Sequence, residues 1–287
     1  MNTSALHIVT YERKYRDAVL SLAFYARNIH THMDWYRTGR WLDSRQHLVK
    51  LAFDERGMLC GVLGVSLPVH GAAWLRMVAL SDHVNAADVI QHLWLAIQPP
   101  AQAQGVTLVG ALLMNKWLAA HLPALGFVYQ EDVVTLLLPH IDLPDPPAHD
   151  LHIRNAYIED VRAIVAVDHA AFVPPWQLSR PDTRQALRQV ASCTLAEHQG
   201  TVIGYQMSTR HLASGHLARL AVAPASQGKR VGAALLYHLL DRMRRRGVRT
   251  MTVNTQQSNH RSQRLYTRFG FVHNGYDLPI WLADIAD

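Results

Sequence analysis

The sequence is poor in the features that would carry it out of the cell or into a membrane. It has 2 cysteines in 287 residues, Cys60 and Cys193, one in each half. That is too few for a disulfide framework, and a reduced, cytoplasmic setting is expected. No apolar run approaches the ~20 residues that a membrane-spanning helix needs. Val106 to Met114 is among the longest and reads as a buried strand. Met1 to Asp17 holds Glu12, Arg13, Lys14 and Arg16 and no apolar stretch, so a secretory leader is not expected. Acidic residues are outnumbered, 22 against 28 Lys and Arg, for a formal charge of +6. Such an excess suits nucleic acid, an acidic surface or a small polyanion. The densest basic stretch is Arg242, Arg244, Arg245, Arg246 and Arg249. No aromatic residues are interleaved with it, so it reads as a solvated helix end and nucleic acid is not expected.

What is present is a repeat. Leu6-His7-Ile8-Val9 is matched by Leu151-His152-Ile153-Arg154, and Phe24 by Phe172. Gly57 and Gly61 correspond to Gly200 and Gly204, Asn115 to Asn259, and Gly126-Phe127 to Gly270-Phe271. These matches keep their order at a spacing of about 144 residues, the signature of a duplicated unit. Four prolines, Pro139, Pro144, Pro146 and Pro147, fall between the halves and read as an extended linker. The expected division is therefore residues 1–138, a linker at 139–149, and residues 150–287. Each half is long enough to bury its own core.

In the second half the pattern runs strand, two helices, three strands, long helix, strand, helix and closing strands. Leu151 to Asn155 reads as the first strand and Ile158 to Ala170 as an amphipathic helix. Asp182 to Ala191 reads as a helix capped by Asp182. Strands follow at 194–197, 201–209 and 216–223, then a helix over 228–246. The fold class is α/β (α+β), with two tandem copies, each a mixed, mostly antiparallel sheet flanked by helices.

The informative segment is Leu220-Ala221-Val222-Ala223-Pro224-Ala225-Ser226-Gln227-Gly228-Lys229-Arg230-Val231-Gly232-Ala233. A strand enters a glycine-bearing turn that opens a helix. The first amides of a helix have no internal partner and the dipole is positive there, so such a turn holds an anion. With Asn259, Leu265-Tyr266 and Phe269-Gly270-Phe271 further on, residues 151 to 283 resemble the GNAT superfamily of acyl-CoA-dependent N-acetyltransferases. The resemblance implies acetyl-CoA as cosubstrate and no metal. It implies that Leu220, Ala221 and Val222 pair by backbone with the pantetheine arm and acetyl carbonyl. Gln227, Gly228, Lys229, Arg230, Val231, Gly232 and Ala233 would cradle the pyrophosphate. Asn259 would touch the pantetheine, and Tyr266 would protonate the departing thiolate. Arg230 stands where the family usually has glycine.

The general base is less marked. Ribosomal-protein alanine acetyltransferases place a glutamate where this chain has Asn254. His216-Leu217-Ala218-Arg219-Leu220 resembles the serotonin N-acetyltransferase strand that presents histidines to the amine. By strand alternation His216 is expected on the face of Leu220 and Val222, where it would take the amine proton directly or through water. Asp168, His169 and Trp176, in a segment that often lines the family's acceptor site, are weaker candidates.

The first half lacks this chemistry. Between Ala72 and Gln104 there is no glycine, Asp82 and Asp88 stand where a pyrophosphate would sit, and the tyrosine position reads His121-Leu122-Pro123. It is expected to be a degenerate copy that packs against the other and shapes its acceptor cleft. A tandem pair with an active C-terminal half is also the arrangement of mycothiol synthase. The expected function is acetyl transfer to the primary amine of a small-molecule or peptide acceptor. A non-catalytic acyl-CoA sensor or interaction protein is the alternative, and oligomeric state is left open.

Overall fold

The computed structural model describes residues 6–44 and 46–286, so the expectation for the N-terminal stretch falls partly on residues 1–5, outside the described residues. By contacts the chain forms two compact units, Met1–Glu131 with Leu278–Asp287, and Asp132–Asp277.

The elements run in order β1 (His7–Thr10), α1 (Arg16–Tyr25), β2 (Asn28–Thr31) and α2 (Thr38–Asp43). Next come β3 (His47–Phe53), β4 (Leu59–Ser66), β5 (Ala72–Leu80), α3 (Ala86–Ala103), β6 (Leu108–Leu112) and β7 (Val128–Leu138). The second half holds β8 (His152–Asn155), α4 (Val161–Ala171), α5 (Arg180–Gln189), β9 (Ser192–His198) and β10 (Thr201–His211). It continues with β11 (Ser214–Val222), α6 (Val231–Arg245), β12 (Thr250–Gln256), α7 (His260–Arg268), β13 (Val272–His273) and β14 (Leu278–Asp284).

The first unit's sheet runs β1-β3-β4-β5-β6-β14, with β2 also on β5; all pairs but β5–β6 are antiparallel. The second runs β7-β12-β11-β10-β9-β8, with β13 also on β7, and only β11–β12 is parallel. The closing strand of each half thus completes the sheet of the other unit. Ile280 in β14 pairs with Leu112, and Val134 in β7 pairs with Thr255. Hydrophobic patterning marks a strand as half-buried but leaves its neighbour unspecified, so this exchange had no local signal.

The register shows the duplication directly. In β4–β5 one residue, Arg76, is extra between Gly64↔Met77 and Val65↔Leu75. In β10–β11 the extra residue is Ala218, between Met207↔Arg219 and Ser208↔Leu217. A second bulge repeats at Cys60 and Ile203. Gly61 and Gly204 let a helix approach the sheet: a Cβ on Gly61 would stand 2.6 Å from Val89 Cγ1, and one on Gly204 3.1 Å from Val231 Cγ1. Bulges re-aim side chains and are built features of a strand, so their repetition fixes the correspondence residue by residue.

Some sequence expectations shift. The second helix of the second half begins at Arg180 and is capped by Ser179, whose hydroxyl accepts from the Asp182 amide at 3.1 Å. Asp182 lies inside the first turn instead of capping it. The long helix begins at Val231, because Gly228 and Arg230 have φ of +80° and +63° and cannot continue a right-handed helix. Both cysteines are free and buried, and burial pushes Cys60 up to about 11 and Cys193 to about 12. Neither is a nucleophile at neutral pH.

Candidate active site

In the second unit β11 is paired along its whole length to β10 but only in part to β12. The parallel ladder runs from Ser214↔Thr250 to Leu217↔Val253 and stops there. Beyond it β12 continues to Gln256 on its pairing with β7, so Ala218 to Val222 present an edge that no strand of the unit pairs. An extended ligand can add to such an edge through main-chain hydrogen bonds.

The strand ends at the anion turn. Gln227 Nε2 donates to the Val222 carbonyl at 3.0 Å, and its Oε1 accepts from Arg261 on α7. The Gln227 side chain therefore braces the turn, and the backbone amides are what it offers. The α6 start carries no side-chain cap. Lys229 and Arg230 are exposed beside it. A Cβ on Gly228 would meet nothing within 4 Å, so the space over the turn is open. Among the described residues Gly232 faces Leu265 of α7, 3.3 Å from a Cβ built on it.

Net charge is distributed to match. Residues 132–277 hold 17 Lys and Arg against 11 Asp and Glu, whereas the remaining residues hold 11 of each. The whole excess of +6 lies in the unit with the open turn. Arg261 was not singled out by sequence, because only its contact with Gln227 brings it to the turn. The basic run on α6 is partly matched: Arg244 and Arg245 pair with Asp241 at 3.2 and 2.9 Å, and Arg246 donates to the Ala191 carbonyl.

Asn259 caps α7, its Oδ1 accepting from the Ser262 amide at 3.1 Å. Tyr266, 4% exposed, lies in the apolar cluster with Leu217, against which Leu220, Ala233 and Leu265 also pack. Burial, opposed by a hydrogen bond with Ser262, raises its pKa well above that of an ordinary tyrosine. It is a protonated donor throughout the neutral range.

His216 is not where alternation places it. Leu217 and Leu220 pack on the same α6-side cluster, because the bulge at Ala218 shifts the alternation by one. His216 therefore lies on the opposite face from Leu220 and Val222, the face of Arg219. It is at the root of the open edge, with Nδ1 2.9 Å from Thr252 Oγ1, and desolvation lowers its pKa. Tyr266 and His216 stand on opposite faces of the sheet, and the unpaired edge is where both faces are reached.

Asp168 and His169 are held in structural contacts. Asp168 is fully buried; its Oδ2 accepts from Arg219 Nε at 2.5 Å and from the Tyr205 hydroxyl, and its Oδ1 accepts from the Leu178 amide. His169 Nε2 lies 2.8 Å from the Leu178 carbonyl, and the Trp176 carbonyl accepts from Arg219 Nη2.

The first unit closes every one of these openings. β2 pairs with β5 from Asn28↔Leu80 to Thr31↔Met77, covering the edge equivalent to 219–222. The α3 start is capped by Asn85, whose Oδ1 accepts from the Ala87 and Asp88 amides at 3.1 and 3.4 Å. Asp82 accepts from the Arg27 amide and pairs with its guanidinium at 3.2 Å.

An open edge beside an uncapped, basic helix start is the architecture of a protein that takes an extended anionic ligand. Comparison with known proteins agrees with that class. The acetyltransferase (GNAT) family profile matches residues 161–271. Phosphinothricin N-acetyltransferase of Streptomyces coelicolor is 30% identical over 146 residues, covering 48% of this chain and 81% of that protein. Mycothiol acetyltransferase of Propionibacterium freudenreichii is 25% identical over 278 residues, 78% of this chain and 88% of the relative. The chain spans only 45% of the length of another relative, the spore coat polysaccharide biosynthesis protein SpsD of Bacillus subtilis, at 31% identity over 47% of this chain. A solved tandem GNAT protein from the clavulanic acid biosynthesis pathway superposes over 99% of both chains with TM-score 0.64 and 18% identity. The chain belongs to the GNAT family of acetyltransferases, with the fold in tandem, and is an acyltransferase. No described helix is long and apolar enough to cross a membrane.

Proposed function

We propose that the second unit transfers an acetyl group from acetyl-CoA to the primary amine of a small-molecule acceptor. The observation that carries this is the unpaired edge at 218–222 running into the uncapped start of α6. Acetyl-CoA supplies an acyl group already activated as a thioester, and this chain's residues do the rest. Backbone groups of Leu220 to Val222 hold the pantetheine and polarise the carbonyl, and the amides of 227–233 take the pyrophosphate with Lys229 and Arg230 beside them. With its Oδ1 taken by the Ser262 amide, Asn259 has no partner for Nδ2 among the described residues and offers it to the pantetheine. Holding thioester and amine on one edge supplies most of the acceleration, by proximity. Tyr266 delivers a proton to the leaving sulfur, and His216 accepts one from the amine, directly or through water.

A small acceptor is favoured by the mycothiol and phosphinothricin relatives, each named for a small molecule. A turnover assay with acetyl-CoA and a panel of small amines and N-terminal peptides, read as released thiol, tests the reading. Turnover with one or more small amines is expected. Binding of acetyl-CoA without turnover of any amine would contradict it.

A further inference from the structure

The two units make different use of the segment between their first two helices. In the first, that segment forms β2 and zips onto the free half of β5, at Met77 to Leu80. In the second, residues 172–179 do not pair with β11. They are tied down instead, by Gln177 Nε2 to the His169 and Phe172 carbonyls, by the Leu178 amide to Asp168, and by the Trp176 carbonyl to Arg219.

The repeated bulges identify what differs. Arg219 corresponds to Met77 and Tyr205 to Val62 by register, and Asp168 corresponds to Leu20 through the Phe24–Phe172 match. Leu20, Val62 and Met77 share one apolar cluster in the first unit. In the second, the same places hold a buried polar knot. Arg219 Nε donates to Asp168 Oδ2 at 2.5 Å and to the Tyr205 oxygen at 2.9 Å, and its guanidinium lies 4.1 Å over the Phe172 ring. A buried ionic network is seldom a net gain in stability over apolar side chains of similar volume, and the first unit shows that the fold does without it. The first unit places its own buried ion cluster elsewhere, Arg76 with Asp34 and His32 just after β2, so a knot at these three positions only where the slot is open points to a role in the slot.

We propose that Asp168, Tyr205 and Arg219 form a clamp that holds residues 172–179 off the β11 edge, keeping open the slot that the matching segment fills in the first unit. These are positioning residues: they act through the segment and not on the reacting atoms. What the slot is for rests on the transferase reading above; the clamp itself does not.

The test is the triple variant Asp168→Leu, Tyr205→Phe, Arg219→Met, which installs the first unit's apolar character without a large cavity. Hydrogen exchange of 172–179 in the ligand-free protein is expected to rise at least tenfold relative to the flanking helices. A freed segment competes with acetyl-CoA for the edge, so KM for acetyl-CoA rises at least fivefold while kcat stays within about threefold. Loss of kcat at unchanged KM, or exchange of 172–179 unchanged, would overturn the proposal. If the triple variant does not fold, Arg219→Lys is read the same way. Lysine keeps the charge but lacks the fork that reaches Asp168 and Trp176 together, so both changes are expected at about threefold and either one missing is contrary. A wild-type protein that binds no acetyl-CoA would remove the transferase reading, and the exchange measurement would still decide the clamp.

Discussion

The two units share bulges, glycines and strand order, yet one offers an open edge and a bare helix start while the other offers neither. In the first, β2 supplies the edge hydrogen bonds, Asn85 supplies the helix cap and Arg27 neutralises Asp82. The edge at Met77 to Leu80 and the Ala87 and Asp88 amides thus find partners within the same chain. A strand edge where the parallel ladder stops and the first turn of a helix both carry backbone groups that need partners. A copy without a ligand must complete them internally.

The greatest change is expected at the site proposed in the second unit. Tyr266→Phe should lower kcat by roughly 10- to 1,000-fold, the range for losing a general acid, with acetyl-CoA affinity nearly unchanged. Wild-type turnover of that variant in a chemistry-limited assay would remove Tyr266 from the mechanism.

The next effect separates the units by pH. His30 on β2 is completely buried, and desolvation, reinforced by His32, lowers its pKa to about 4. An unfolded histidine titrates near ~6.5, so the unfolded chain gains a proton across that interval and the folded one does not. Stability of the first unit should therefore fall as pH is lowered from about 6.5 to 4, by roughly 3 kcal/mol at ~1.4 kcal/mol per unit. His30→Phe should flatten that slope in thermal unfolding of the first unit. An unchanged slope would place the acid lability elsewhere.

His216 bears on the other unit. Its lowered pKa keeps the imidazole neutral to below ~6.5, so the acidic limb of the pH–rate profile should lie under that value. In His216→Ala that limb should disappear with a reduced rate, whereas an unaltered profile would assign the base to water or another group.

The smallest effect is at Arg230, a non-glycine residue at φ +63°. Such a conformation costs about 1 kcal/mol, and a glycine there regains it while adding unfolded-state entropy of similar size. Arg230→Gly should shift stability by less than about 1 kcal/mol, measured by denaturant unfolding. A loss of several would show that its side chain holds the turn.

Much of this comparison was legible in the sequence. The ordered matches from Leu6/Leu151 to Phe127/Phe271 gave the duplication, and the run from Leu220 to Ala233 gave the turn, because glycines and helix starts are local. The absence of glycine from Ala72 to Gln104 likewise set the first copy apart from the second. What was not legible is nonlocal. Asn28–Thr31 carries too little patterning to announce a strand, and its place on β5 is set by the edge it completes. Ala218 has no sequence mark of a bulge, yet it moves His216 to the other face. Arg219 and Asp168 are 51 residues apart, and only the fold shows that they meet.

Each chain is expected to hold one acetyl-CoA site, in the second unit. Calorimetric titration of the full chain with acetyl-CoA measures the number of sites. A stoichiometry of one is expected, and no binding by Gly232→Glu, which sets bulk and negative charge at the start of α6. Two sites per chain, or normal binding by the Gly232→Glu protein, would contradict it.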